Sequence, residues 1–152
     1  MKTIAIGSDP NAHGLKKIII EHLITTGIEI TDYGSDDRIY ANVAFTLGEA
    51  VAEGKHDRGI LLCGTGIGMC IAANKVPGAY AALCSDVYSA ERARKSNNAN
   101  IITLGAEVTG PMTAKMIVTT WLNAEYEPGG RSEPKIRRIY EYASKHSYQP
   151  IK

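Results

Sequence analysis

Short apolar runs alternate with longer amphipathic stretches along the chain. Five of the short runs are bounded by turn residues and predict β-strands over residues 3–6, 28–33, 59–62, 80–83 and 101–104. The longer stretches repeat apolar residues every three or four positions, which predicts helices over residues 15–23, 40–53, 66–75, 87–95, 111–125 and 134–144.

This alternation predicts an α/β fold, with a Rossmann-like, doubly wound sheet of five parallel strands inside an α/β/α sandwich. No linker, repeat or low-complexity segment interrupts the 152 residues, so we expect one domain over residues 1–152. The C-terminal helix is then available for oligomer contacts. Such sheets bind ligands at the carboxyl ends of their strands, which directs attention to the loops over residues 8–12, 34–40, 63–68, 85–87 and 105–107.

The composition of the chain mainly excludes classes of protein. With 44% hydrophobic and 22% charged residues and a formal net charge of +1, the chain lacks the strong field that nucleic acid or a membrane surface would attract. Three cysteines cannot pair completely, which favours a reducing compartment. The apolar run at the N-terminus is too short for a signal peptide, and no run approaches the roughly 20 residues of a membrane helix. We therefore expect a cytoplasmic protein.

The third predicted strand leads into Leu-Cys-Gly-Thr-Gly-Ile-Gly over residues 62–68. A glycine-rich turn before a helix presents backbone N–H groups to an anion, and such a helix start favours the thiolate form of a cysteine. The turn matches neither the dinucleotide fingerprint nor a P-loop, and it contains no Cys-x-x-Cys pair. A base beside an oxyanion hole suits proton abstraction next to a carbonyl. The alternative is that Cys63 is a buried, unreactive residue.

Other polar positions allow two interpretations each. Asp9 ends the first strand, where it caps a helix or binds a hydroxyl. The asparagines of residues 96–100 serve turn conformations or donate amide hydrogens to a ligand. Basic residues near Arg131 form a solvated face or a phosphate clamp. The four histidines show no metal-ligand spacing, so no metal site is expected.

The chain as a whole resembles the ribose-5-phosphate isomerase B family, which includes the galactose-6-phosphate isomerase subunits. The resemblance covers nearly all 152 residues. It is carried by IAIGSD at 4–9, RGILLCGTGIG at 58–68, AANKVPG at 72–78, YSAERAR at 88–94, NNAN at 97–100 and GGR at 129–131.

The resemblance implies aldose–ketose isomerisation of a phosphorylated sugar through a cis-enediol, without a metal or cofactor. It implies that Cys63 is the catalytic base, that Thr65 assists proton transfer and that Asp9 acts on the substrate. Further residues that match substrate-binding positions are Gly64, Gly66, Gly68, Tyr40 and Asn97, and Arg131 matches a phosphate-binding arginine. Family members are dimers or tetramers in which the neighbouring subunit completes each site, so we expect a homo-oligomer.

The chain departs from the family pattern around the substrate. Pro10 stands where members have a histidine after the aspartate, and Ser96 replaces a histidine proposed to open the sugar ring. Glu107 replaces a phosphate-contacting arginine, and Lys135 replaces its C-terminal partner. Asn11 or His13 is a candidate substitute near the first loop.

Ring opening requires a group that exchanges a proton near neutral pH, and serine is a poor substitute for histidine in that role. A four-carbon sugar phosphorylated on C4 cannot close a furanose ring, since the required hydroxyl is esterified. We therefore predict an open-chain substrate, the D-erythrulose 4-phosphate/D-erythrose 4-phosphate pair, and the chain is also similar to members linked to erythritol-type catabolism. The alternatives are ribose 5-phosphate, galactose 6-phosphate or another hexose 6-phosphate, a non-catalytic sugar-phosphate-binding subunit and a nucleotide-binding module.

Overall fold

A computed structural model describes residues 2–146. The strands are β1 (Thr3–Ser8), β2 (Glu29–Asp32), β3 (Arg58–Cys63), β4 (Ala81–Leu83) and β5 (Ile101–Gly105). The helices are α1 (His13–Ile24), α2 (Tyr40–Ala52), α3 (Ile67–Ala73), α4 (Val87–Lys95), α5 (Pro111–Asn123) and α6 (Glu133–Lys145). A short 3₁₀ turn over Pro10–Ala12, which the sequence pattern did not predict, precedes α1.

The five strands form one parallel sheet in the order β2-β1-β3-β5-β4. β3 and β5 lie inside the sheet and are buried at every residue, as expected for near-continuous apolar strands covered on both faces. The predicted doubly wound α/β/α sandwich is therefore confirmed.

Alternate strand residues point into two separate cores. On one face, Ile60 and Leu62 of β3 pack with residues of α1, α4 and α5, among which Trp121 is fully buried. On the other face, Leu61 and Cys63 pack with α2 and α3. The period-two alternation of β3 thus places Cys63 on the α2/α3 side.

The amino end of the sheet is tied to the end of α5 by a buried arginine. The Arg58 guanidinium donates to the carbonyl oxygens of Trp121, Leu122 and Ala124 at 2.7, 3.1 and 2.9 Å. These carbonyls lie at the C-terminal end of α5, where the N–H donors of a following helical turn are missing. Burial lowers the pKa of Arg58, and Glu125 at 3.0 Å opposes that effect.

β1 runs two residues further than predicted, so that Gly7 and Ser8 belong to the strand and Asp9 follows it directly. α6 buries only Ile136 and exposes Ile139 and Tyr142. Within residues 2–146, no helix is both long and apolar enough to cross a membrane.

Candidate active site at the carboxyl edge of the sheet

The winding direction of the sheet changes between β1 and β3. From β1 the chain crosses to β2 on one side, while β3 and the strands after it lie on the other side. Open α/β sheets bind ligands in the crevice at such a point. Asp9 and Cys63 stand at the two strand ends that border it, and the Asp9 N–H donates to the Leu62 carbonyl oxygen at 3.2 Å.

Cys63 is the last residue of β3, and only 5% of its surface is exposed. The Gly66 N–H donates to the Cys63 Sγ atom, with 3.1 Å between nitrogen and sulfur. The chain reaches this geometry because Gly66 adopts a left-handed conformation, with φ of +79°. The Thr103 hydroxyl donates to the Gly66 carbonyl oxygen at 2.8 Å and fixes the turn. Sγ therefore accepts a hydrogen bond from the backbone of the loop that follows it.

The glycine loop presents further donors. Across the described residues 2–146, the N–H groups of Gly64 and Thr65 donate to no other protein group. The Thr65 hydroxyl is exposed and accepts from the Ile67 N–H at 3.2 Å, at the first turn of α3. The loop thus combines one thiol, one hydroxyl and two available N–H groups.

Asp9 is 6% exposed and serves the turn that follows it. Its carboxylate accepts from the Ala12 N–H at 3.1 Å and lies 3.5 Å from the Asn11 amide nitrogen. Pro10 begins the 3₁₀ turn and is exposed. Next to this turn, His13 Nδ1 lies 2.6 Å from the hydroxyl of the buried Ser35. Asp9 therefore caps the turn, as the first interpretation predicts. Its second carboxylate oxygen accepts from the Asn11 side chain.

Tyr40, the first residue of α2, reaches the same loop. Its ring packs so closely on Gly68 that a β-carbon at Gly68 would occupy the position of the ring. Asp37 orders the approach to α2 by accepting from the Asn42 amide and the Ile39 N–H, and both hydrogen bonds lower the pKa of Asp37. The structure thus brings Tyr40, Asp9 and the cysteine loop to one edge.

The last residue of β5 and a residue just after that strand also contact the loop. A β-carbon at Gly105 would lie 2.6 Å from the Thr65 carbonyl carbon, so only glycine allows this approach. The carboxylate of Glu107 lies beside Gly64, and the Glu107 N–H donates to the Gly64 carbonyl oxygen at 2.9 Å. The sequence pattern placed the loop over residues 105–107 at this edge and marked Glu107 as a departure from the family, but it did not predict that Gly105 and Glu107 contact the glycine loop.

The remaining cysteines have other environments. Cys84 is 1% exposed, and burial raises its pKa to about 12, with smaller contributions from Asp86 and Cys70. Cys70 is half-buried and donates to the Ala81 carbonyl oxygen at 3.5 Å. Within residues 2–146, no cluster of three or more His, Cys, Asp or Glu side chains has the arrangement of a metal site.

Ser96 and Asn97 lie at the opposite edge of the sheet. They follow the C-terminal end of α4 and precede β5, whereas Cys63 pairs in register with Gly105 at the far end of β5. Gly105 lies four residue steps along the strand from Ile101, or about 13 Å. Within one subunit, Asn97 and Cys63 therefore lie too far apart to share a site.

Arg131 and Lys135 belong to a segment anchored at that same amino edge. The segment starts after the end of α5, where the Ala124 carbonyl oxygen accepts from Arg58. It continues into α6, where the Tyr140 ring lies 4.8 Å from the ring of Tyr80, a residue just before β4. Both basic residues are exposed.

The other two asparagines of the cluster have structural roles. Asn98 has φ of +51° and its amide donates to the Tyr140 hydroxyl at 3.3 Å. Asn100 accepts from the Tyr80 N–H at 2.8 Å and donates to the Gly78 carbonyl oxygen at 2.9 Å. The turn-chemistry interpretation holds for these two positions.

Comparison with known proteins gives consistent matches over the whole fold. The family model described as Ribose/Galactose Isomerase matches residues 4–139. A protein named D-erythrulose-4-phosphate isomerase from Pectobacterium atrosepticum is 56% identical, over 96% of this chain and 99% of its own length. Ribose-5-P isomerase B from Listeria innocua is 46% identical, over 93% and 97%. The structure of Clostridium thermocellum ribose-5-phosphate isomerase B superposes with a TM-score of 0.90 at 43% identity, over 95% of this chain and 99% of that one.

Proposed function

The chain belongs to the Ribose/Galactose Isomerase family, and we propose that it is a cofactor-independent aldose–ketose isomerase of a phosphorylated sugar. The observation that carries the proposal is the Cys63 sulfur at the change of winding direction, 3.1 Å from the Gly66 nitrogen and next to two available N–H donors. That arrangement supplies a base and an anion hole within one loop.

In the proposed mechanism, the Cys63 thiolate removes the proton from the carbon next to the substrate carbonyl. The electron pair moves to the carbonyl oxygen, and the N–H groups of Gly64 and Thr65 stabilise the resulting enediolate. The thiol then returns the proton to the neighbouring carbon. Asp9 binds the hydroxyls of the reacting carbons, and the Thr65 hydroxyl assists the transfer of the proton between the two oxygens. Tyr40 closes the site over Gly68.

For the substrate we propose the D-erythrulose 4-phosphate/D-erythrose 4-phosphate pair. Two observations support it: Ser96 offers no group that titrates near neutral pH for ring opening, and the Pectobacterium relative carries the name of that activity. Ribose 5-phosphate is the second candidate, because the Listeria relative is named for it. Galactose 6-phosphate is the third.

Steady-state assays on the three sugar phosphates test the assignment. We expect kcat/KM for erythrulose 4-phosphate to exceed that for ribose 5-phosphate by at least about 10-fold, which corresponds to about 1.4 kcal/mol. An equal or higher kcat/KM for ribose 5-phosphate would reassign the substrate. No turnover of any of the three by the purified homo-oligomer would favour the non-catalytic subunit instead.

We further propose that a second copy of the chain completes each site by supplying Ser96, Asn97, Arg131 and Lys135. The distance between the two sheet edges supports this arrangement. Exposed apolar side chains support it too, since large side chains on α3, on β4, after β5 and on α5 are 42–70% exposed: Ile67, Ile71, Leu83, Val108, Met112 and Met116. The three free thiols fit the expected cytoplasmic location.

A further inference from the structure

Glu133, the first residue of α6, closes the turn that carries Arg131. Its N–H donates to the Gly130 carbonyl oxygen at 3.1 Å, which places Arg131 and Ser132 in the middle of a four-residue turn. Its carboxylate oxygen Oε2 accepts from the Gly129 N–H at 2.7 Å. Glu133 is therefore bound, through both its backbone and its side chain, to the two residues that precede Arg131.

The orientation of Arg131 depends on this turn. Residues 124–132, which connect α5 to α6, belong to neither a helix nor a strand, and Gly129 adopts a left-handed conformation with φ of +79°. Within residues 2–146, the Arg131 guanidinium makes no hydrogen bond and no ion pair. The backbone of the turn, rather than a contact of the side chain, therefore sets the direction in which Arg131 leaves the chain.

The second carboxylate oxygen of Glu133 faces a basic residue. Oε1 lies 3.4 Å from Arg137 Nη2, one helical turn further along α6. This ion pair offsets part of the negative charge of Glu133 at a place where, in the proposed function, a phosphate group binds. The carboxylate thus orders the turn without strongly opposing the binding of an anion.

We propose that Glu133 is a positioning residue that orients Arg131 for the phosphate group of the substrate in the site of the partner subunit. This inference rests on the proposed function, in which Arg131 of one copy completes the site of another. A hydrogen bond from a backbone N–H to a carboxylate is stronger than one between neutral groups, so the turn is ordered before the substrate arrives. Binding then does not have to fix the turn, which would otherwise weaken the affinity.

Steady-state kinetics of Glu133→Ala test the proposal, on whichever of the three sugar phosphates has the highest kcat/KM. Loss of the carboxylate should raise KM about fivefold and change kcat by less than about twofold, because the turn then becomes ordered only on binding. Glu133→Gln keeps an oxygen acceptor for the Gly129 N–H and should have a KM within about twofold of that of the unaltered protein.

Glu141→Ala is the matched control. The Glu141 carboxylate lies 3.9 Å from Arg138 Nη1 on the same helix and, within residues 2–146, makes no hydrogen bond or ion pair with the turn, so its removal should leave KM unchanged. An unchanged KM in Glu133→Ala, or equal KM values in Glu133→Ala and Glu133→Gln, overturns the proposal.

A mixing experiment separates this role from a structural one. In a dimer of one Glu133→Ala subunit and one Cys63→Ala subunit, the one site that retains Cys63 receives Arg131 from the subunit with an intact Glu133. Glu133→Ala mixed with an excess of Cys63→Ala should therefore recover the KM of the unaltered protein, because nearly every active site is then of this kind. A KM that stays high, with mixed oligomers verified by native mass spectrometry, would show that Glu133 acts within its own subunit and would overturn the proposal.

Arg131→Ala distinguishes a failure of this inference from a failure of the proposed function. If Arg131→Ala loses activity while Glu133→Ala keeps the KM of the unaltered protein, the role of Glu133 alone is wrong. If Arg131→Ala retains full activity, or if the unaltered protein isomerises no sugar phosphate, the proposed function fails and the role of Glu133 fails with it.

Discussion

The Gly66 N–H donates to the Cys63 sulfur across 3.1 Å, which joins the proposed base to the backbone of its own anion hole. The donor is in place because Gly66 has a positive φ and because its carbonyl accepts from Thr103. The thiol therefore takes its position from the backbone rather than from another side chain.

Replacing Cys63 by alanine should abolish isomerisation while keeping the fold. We expect kcat to fall about 1000-fold, in the range of a lost general base, with the free energy of unfolding reduced by about 1 kcal/mol for the lost sulfur. Exchange of the substrate C–H proton with deuterated solvent, followed by NMR, checks the loss directly. Cys70→Ala is the matched control and should retain turnover. Retained exchange in Cys63→Ala would assign the base to another residue.

The Gly66 turn should be far less tolerant of substitution than an open turn of the same conformation. Gly66 and Gly27 have φ of +79° and +75°. A β-carbon at Gly66 would lie 2.7 Å from Leu83 Cδ1 and 2.8 Å from the Leu104 carbonyl carbon, whereas at Gly27 it meets nothing within 4 Å.

We therefore expect Gly27→Ala to cost about 1 kcal/mol of unfolding free energy, and Gly66→Ala about 3 kcal/mol together with most of the activity. Urea unfolding of the two variants compares the costs. Equal losses of unfolding free energy in the two variants would mean that the close packing around Gly66 adds nothing to the cost of the substitution.

The sequence pattern predicted each β-strand and α-helix of residues 2–146 and the edge that carries Cys63, because periodicity and turn residues are local signals. It did not predict that Glu107 lies beside Gly64 or that Gly105 contacts Thr65. These contacts depend on the register between β3 and β5, which are about 40 residues apart in the chain and carry no local mark of their pairing. The position of Asn97 could have been inferred, since a residue before a parallel strand lies at its amino edge.

The contact between Tyr40 and Gly68 should appear as a strong energetic coupling. Alanine normally stabilises a helix relative to glycine by up to about 1 kcal/mol, yet a β-carbon at Gly68 would overlap the Tyr40 ring. Gly68→Ala should therefore destabilise the protein and raise KM. In a Tyr40→Ala background the same change should be neutral or stabilising, giving a coupling energy above about 1 kcal/mol in a double-mutant cycle. Additive effects would show that the ring moves away at no cost.

Cys84 should make stability depend on alkaline pH. Burial raises its folded-state pKa from 9.0 to about 12, so the folded protein holds this proton more tightly than the unfolded chain. The resulting stabilisation is complete below pH 9 and is lost as the pH rises from 9 towards 12. Between pH 7 and pH 10, the unfolding free energy of the unaltered protein should fall by about 1 kcal/mol more than that of Cys84→Ala. Urea unfolding of both proteins at the two pH values measures this difference. Identical pH dependence of the two proteins would contradict the shift.

Subunit mixing should reveal whether a second copy completes the site. Cys63→Ala and Arg131→Ala should each be inactive alone, because every site of either homo-oligomer contains the substitution. If the two residues act across an interface, a dimer of one Cys63→Ala subunit and one Arg131→Ala subunit has one site with both substitutions and one site with neither. Random mixing should then restore about a quarter of the original activity. Cys63→Ala mixed with Asp9→Asn is the control and should restore none, because both residues lie at one edge of a single chain. No recovery in the first mixture, with mixed oligomers verified by native mass spectrometry, would place Arg131 outside the site of the partner.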